Sequence, residues 1–227
     1  MSVFVIGDLH LSLSIDKPMD IFGGWIDYMT RLEENWRESV KPEDTVVVAG
    51  DISWAMKLED LQKDFDFLHS LPGRKLLMKG NHDYWWTTRT KMERHFAAQN
   101  WDTLQVLHNN AVLVDSVALC GSRGWTFENG ETADQLVITR EAGRIRRSLE
   151  AAGDAQEKIL FLHYPPIYGR QVIPEYFDIM KEFGVTRCYY GHLHGPGIKS
   201  AFEGSFFGVD LRLISADYLK FQPLRVL

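Results

Sequence analysis

Five of the eight histidines in this chain directly follow short apolar runs. VFVI leads into Asp8 and His10 in GDLH, and TVVVA leads into Asp51 in GDIS. KLLMK leads into Asn81, His82 and Asp83 in GNHDYWW. KILFL runs into His163 in HYPP, and RCYY runs into His192 and His194 in GHLH. A turn alone accounts for Gly, Asn and Asp, which cap or tolerate tight backbone. It has no use for His82, and five successive exits carrying Asp, His or Asn are not five independent turns. Neutral imidazole and carboxylate are ligands for zinc, manganese and iron. They are too many for one tetrahedral site, and they suit two ions sharing a carboxylate. Two ions roughly 3.5–4 Å apart clamp the attacking and leaving oxygens of a phosphoryl transfer.

Something must hold these groups together. The apolar runs at 2–7, 45–50, 75–80, 117–121, 158–163 and 186–191 read as strands covered on both faces. Between them lie helical patterns. WIDYMTRLEENWRESV (25–40) carries a stripe at Trp25, Tyr28, Met29, Leu32 and Trp36, and KLEDLQKDFDFLHSL (57–71) one at Leu58, Leu61, Phe65 and Leu68. Residues 132–153 and 174–184 complete the set. Alternating strands and helices predict an α/β fold, with ligands at the carboxyl ends of the strands. After residue 200, FFGVDLRLIS and FQPLRVL read as a β meander, so part of the sheet is antiparallel. No linker, repeat or low-complexity run appears, and a single domain over 1–227 is expected. His69, His95 and His108 fall in helical or loop segments without such neighbours.

The bulk numbers set limits. Apolar residues make up 45% of the chain and the formal charge is −6. A sizeable core is expected, and the charge argues against nonspecific nucleic-acid binding, which runs on many Lys and Arg contacts. Cys120 and Cys188 lie in apolar runs and read as two buried thiols of a reducing compartment. The opening MSVFVIGD has no basic flank and too short an apolar run for a signal peptide or a span. The expectation is cytoplasmic, without membrane association.

The ordered series DLH, GD, GNHD, a lone H and GHLH resembles the calcineurin-like metallophosphoesterase superfamily, over residues 7 to 194. That resemblance implies a four-layer sandwich of two mixed sheets flanked by helices. It implies that Asp8, His10, Asp51 and His194 hold one divalent ion, that Asn81, His163 and His192 complete a second site, and that Asp51 bridges. Manganese is the expected metal, with iron or zinc as alternatives. His82 would face the substrate without ligating, and Asp83 would orient its ring. The activity implied is hydrolysis of a phosphate mono- or diester of a small molecule by metal-bound hydroxide, with no obligate protein partner. The alternatives are a nuclease for small or single-stranded nucleic acid and a non-catalytic scaffold of the same fold.

Departures from relatives narrow the branch. GDISWAM lacks the arginine of the GDxxDRG motif of protein serine/threonine phosphatases. Trp54 stands where purple acid phosphatases place a tyrosine ligand. His82 stands where the lipid A-pathway branch commonly has arginine. What remains resembles the small single-domain bacterial phosphoesterases. Around the site, Arg123 in GSRGW is a candidate for a phosphate oxygen, against a surface salt bridge. Tyr84, Trp85 and Trp86 read as core in preference to a pocket wall. Arg140, Arg144 and Arg147 read as a solvated helix face.

Overall fold

A computed structural model describes residues 1–125 and 134–227. Its contacts divide the chain into two compact units, residues 1–106 with 214–227, and residues 107–213.

The first unit is built on four parallel strands, β1 (Val3–Ile6), β2 (Thr45–Val48), β3 (Arg74–Leu77) and β4 (Leu104–Val106), in that spatial order. A short C-terminal strand, Leu224–Arg225, pairs antiparallel with β1. Every residue of β1 and β2 is buried, as their unbroken apolar runs require. Phe4 lies opposite Val46, and Val46 opposite Lys75. Helix α1 (Tyr28–Ser39) buries Tyr28, Leu32 and Trp36, four residues apart. It starts later than its stripe implied, because Asp27 takes a left-handed conformation (φ 53°) and breaks the turn. Trp25 is still buried, against the rings of Phe221 and Tyr28. The pattern at 57–71 forms a 3-10 turn (Leu58–Leu61) running into α2 (Gln62–Ser70). Helix α3 (Arg89–Ala98) was not legible: only Met92 and Phe96 are buried along it, too narrow a stripe to read.

Lys75 is a charged residue with no exposed surface. Its ammonium nitrogen donates to the carbonyls of Leu71 (2.6 Å) and Gly73 (2.9 Å), beyond the end of α2. Burial pushes its pKa down to about 7. Between that value and its ordinary 10.5, the unfolded chain holds a proton that the folded chain lacks. Linkage then makes stability rise with pH across this window. The unfolding midpoint of the wild type therefore climbs relative to Lys75→Met between neutral and mildly alkaline pH. Parallel curves for the two proteins would rule this out.

The second unit holds a six-stranded sheet. In chain order its elements are β5 (Asn110–Val114), β6 (Val117–Ser122), α4 (Gln135–Glu150), β7 (Glu157–Leu162), a small hairpin of β8 (Ile167–Tyr168) and β9 (Gln171–Val172), α5 (Pro174–Glu182), β10 (Arg187–Tyr190), β11 (Gly204–Phe206) and β12 (Val209–Leu213). The spatial order is β11-β12-β10-β7-β6-β5; β6, β7, β10 and β12 run parallel, and the two edges antiparallel. Helix α4 packs on β5, β6 and α5, and Ile145, Leu149, Tyr176 and Met180 are buried in the core beneath. Residues 132 and 133, the start of the expected helix, lie outside the described residues.

Two mixed sheets with flanking helices meet the expected α/β class. The C-terminal meander does not hold together as one: β11 and β12 form a hairpin in the second sheet, while Leu224–Arg225 joins the first. Both cysteines are buried and reduced, and burial pushes the Cys120 thiol up to about 12. Arg140, Arg144 and Arg147 are exposed. Arg144 pairs with the buried Glu141, and the neighbouring Arg146 forks onto Glu182 at 2.5 Å. Among the described residues, no helix is long and apolar enough to cross a membrane.

Candidate metal centre

In the first unit the candidate ligands leave the carboxyl ends of β1, β2 and β3. Parallel pairing brings those three ends to one side of the sheet. The exits are laced together by backbone. Asp8 N–H donates to Gly50 (3.0 Å), His10 N–H to Asp51 (2.9 Å), Leu11 N–H to Ile52 (2.9 Å), and Trp54 N–H back to Leu11 (3.0 Å). GDLHL and GDISW therefore run side by side. One carboxylate oxygen of Asp8 and one of Asp51 lie within 4.8 Å of each other. His10 Nε2 is 3.8 Å from Asp51 Oδ2, and all three side chains are buried.

Asp8, His10 and Asp51 have φ of 55°, 47° and 49°, in the left-handed region that most residues avoid. Such strain persists only where surrounding structure over-determines it, and it gathers at functional sites. Gly80 shows how tight the third exit is. A Cβ built there would stand 2.0 Å from Asp51 Oδ1 and 2.2 Å from its backbone nitrogen. The GNHD loop lies directly on Asp51, and His82 N–H donates to Asp51 Oδ1 at 2.8 Å. Gly80→Ala is therefore expected to push Asp51 out of place and cost bound metal as well as stability. Elemental analysis beside thermal unfolding tests this; full metal content would show that the loop gives way cheaply.

The rings around this exit form a cluster. His82, half-buried, lies 5.7 Å from His10 and 4.5 Å from Trp54, and Trp54 stacks on His10 at 4.8 Å. The Tyr84 hydroxyl is 3.4 Å from His82 Nδ1. The aromatic run after His82 divides: Tyr84 is exposed, Trp85 is buried in the core and Trp86 packs at its edge.

Asp83 does something other than orient an imidazole. Oδ2 accepts N–H from Gly80 (2.7 Å) and Asp51 (2.9 Å), and Oδ1 accepts N–H from Ile52 (2.8 Å) and the Trp85 indole (3.1 Å). The buried carboxylate pins the second and third exits together by their backbones. Burial, and then the nearby Asp51 charge, raise its pKa, while the backbone donors pull it down. Asp64 plays the same part for the first two exits. It accepts from Leu13 N–H (2.7 Å) and the Ser53 hydroxyl (2.5 Å). Its one signal in the sequence is a carboxylate spaced three from Leu61 and four from Leu68, within the buried stripe of α2.

In the second unit His163 directly follows β7, and β10 leads to His192 and His194. The Arg123 carbonyl, just past β6, accepts N–H from His163 (3.2 Å) and Tyr164 (3.0 Å). The His163 and His192 rings are 5.3 Å apart, edge to face, and Tyr164 stacks on His192 at 4.2 Å. His192 is again left-handed, at φ 71°. The Arg123 guanidinium sits 5.5 Å from the Tyr164 ring and 5.6 Å from the Trp125 ring. It makes no salt bridge among the described residues.

The donor set fits divalent cations. Buried carboxylates beside imidazole, held in strained backbone, are costly unless a cation compensates them. His69, outside the series, bonds instead to the Thr103 hydroxyl at 2.8 Å.

Comparison with known proteins agrees. No curated protein matches significantly. Among solved structures, phosphopantetheinyl hydrolase PptH from Mycobacterium tuberculosis is 15% identical, with TM-score 0.59, covering all of this chain and 95% of its own. A protein of unknown function from Aquifex aeolicus is 15% identical (TM-score 0.52; 99% of this chain, 95% of its own). TT1561 from Thermus thermophilus is 14% identical (TM-score 0.53; 85% and 81%). At these identities the likeness is one of fold. The calcineurin-like phosphoesterase family model, however, matches residues 1–196, and with GDLH, GDIS, GNHD, His163 and GHLH all inside that span, the chain belongs to the calcineurin-like phosphoesterases.

Proposed function

We propose that this protein is a hydrolase of small-molecule phosphate esters that uses two divalent cations. The observation that carries the reading is the backbone-laced, strained packing of Asp8, His10 and Asp51 under the GNHD loop. Asp8, His10, Asp51 and His194 would hold one ion, and Asn81, His163 and His192 would hold the other together with Asp51. Bound there, the cations would supply Lewis acidity and lower the pKa of water. The chain's own residues do the rest. His82, with Nδ1 near the Tyr84 hydroxyl, gives a proton to the leaving oxygen or stabilises its charge. Arg123 presents its guanidinium to a nonbridging phosphate oxygen. Asp83 and Asp64 hold the loops rigid. The exposed, ion-paired arginines of α4 and the net charge of −6 favour a small substrate over a nucleic acid. Two buried thiols fit a reducing, cytoplasmic setting.

Hydrolysis of a panel of monoesters, diesters and cyclic nucleotides by chelated and reconstituted protein tests the reading. Imidazole-rich sites favour manganese over magnesium, so manganese restores more activity. Rates indifferent to chelation would overturn the metal-dependent reading. Arg123→Ala is expected to raise KM with unchanged metal content; an unchanged KM across the panel removes it from the substrate.

A further inference from the structure

We propose that Tyr164 is a positioning residue whose one ring orients both the candidate metal ligand His192 and Arg123, the residue assigned above to the phosphate. This rests on the phosphoesterase reading.

Tyr164 stands where three strand exits of the second unit meet. Its N–H and that of His163 donate to the Arg123 carbonyl, just past β6, at 3.0 and 3.2 Å. The His163 carbonyl accepts N–H from Gly191, the residue after β10, at 3.1 Å. The exits of β6, β7 and β10 are therefore tied through two residues of HYPP. Pro165 and Pro166 follow. Proline fixes its own φ and restricts the residue before it, so the backbone at Tyr164 has little freedom to carry the ring elsewhere. Tyr164 is 1% exposed.

The ring meets both groups by their faces. It stacks on His192 at 4.2 Å and 29°, and His163 meets it edge-on at 5.2 Å. An imidazole nitrogen binds a cation in the plane of its ring. A plate on the face therefore fixes the ring without competing for the cation. His192 has the greater need of this, because its backbone is left-handed, at φ 71°. The Arg123 guanidinium lies over the same tyrosine at 5.5 Å. Its N–H groups also point in plane, and Nε is buried with no hydrogen-bond acceptor among the described residues. A buried donor without an acceptor is costly, and an anion oxygen removes that cost. One buried ring thus steadies a ligating edge and an anion-binding edge by the same means.

The test uses Tyr164→Leu, Tyr164→Met and Tyr164→Phe, with manganese titrated calorimetrically into metal-free protein. The two aliphatic variants should bind one manganese ion about tenfold more weakly, the scale of an outer partner of a ligating histidine, and hold the other as the wild type does. At saturating manganese, their KM for phenyl phosphate should rise about threefold, the scale of a cation–π contact, with kcat nearly unchanged. Binding of phenylphosphonate should weaken in step. Tyr164→Phe keeps the ring and should retain most of both properties. In an Arg123→Ala background, Tyr164→Leu should raise KM no further, because the ring acts on phosphate through Arg123. Should the wild type hydrolyse no ester, the phosphoesterase reading fails, and the manganese and phosphonate titrations still decide Tyr164. Unchanged manganese binding, equal weakening of both ions, a KM rise that persists without Arg123, or failure of both aliphatic variants to fold overturns the assignment.

Discussion

His82→Ala should lower kcat for an alkyl phosphate ester by about 10²–10⁴-fold, the usual contribution of a positioned acid. That is roughly 3–5 kcal/mol of barrier at about 1.36 kcal/mol per decade. Metal content should stay unchanged, because the contact of His82 with Asp51 runs through its backbone N–H, which alanine retains. The loss should depend on the leaving group. An aryl oxide departs well as an anion and needs little protonation, so aryl esters should suffer less. The ring is held among His10, Trp54 and Tyr84, beside the candidate ligands. The measurement is kcat for matched aryl and alkyl esters beside elemental analysis. An equal loss for both esters makes His82 a charge stabiliser instead of an acid, and loss of an ion makes it a ligand.

Asp83→Ala is expected to be the most damaging single change to the scaffold. It strands the N–H groups of Gly80, Asp51 and Ile52 in a buried setting. Each stranded group costs about 1–3 kcal/mol, so the sum is roughly 3 kcal/mol or more, against a whole-protein stability of about 5–15 kcal/mol. The second and third exits lose their common anchor, so metal should be lost along with stability. Asp83→Asn keeps one acceptor oxygen but turns an amide NH₂ toward a backbone donor, and should fall between. Urea unfolding and metal content separate this role from the one expected from the sequence. If Asp83→Asn keeps full stability and both ions yet loses rate as His82→Ala does, the carboxylate serves the imidazole after all.

The difference between those two roles marks what could be read from the sequence. Strand positions and the identity of the ligand candidates were legible, because fully buried parallel strands need unbroken apolar runs and because Asp, His and Asn at successive exits have no common structural use. The role of Asp83 was not, since adjacency to His82 in the chain says nothing about which way a side chain turns. Tertiary structure turned it inward onto the backbone N–H groups of Gly80, Asp51, Ile52 and Ser53. Asp64 and Trp54 were missed as parts of the site for a related reason. Asp64 lies in α2 and carries no motif of its own. Their neighbours are set by the parallel pairing of β1 and β2, which lays GDLHL against GDISW. Helix α3 and β4 escaped because short elements at the edge of a sheet bury too few residues to leave a periodic trace. The C-terminal meander was misread because local alternation specifies a strand but not its sheet; the first sheet has an open edge at β1, and Leu224–Arg225 fills it. From its sequence alone the chain thus determined its chemistry-bearing residues and its α/β class, which depend on residue type and local period. Long-range pairing alone decided which of those residues face one another and which polar groups hold them there.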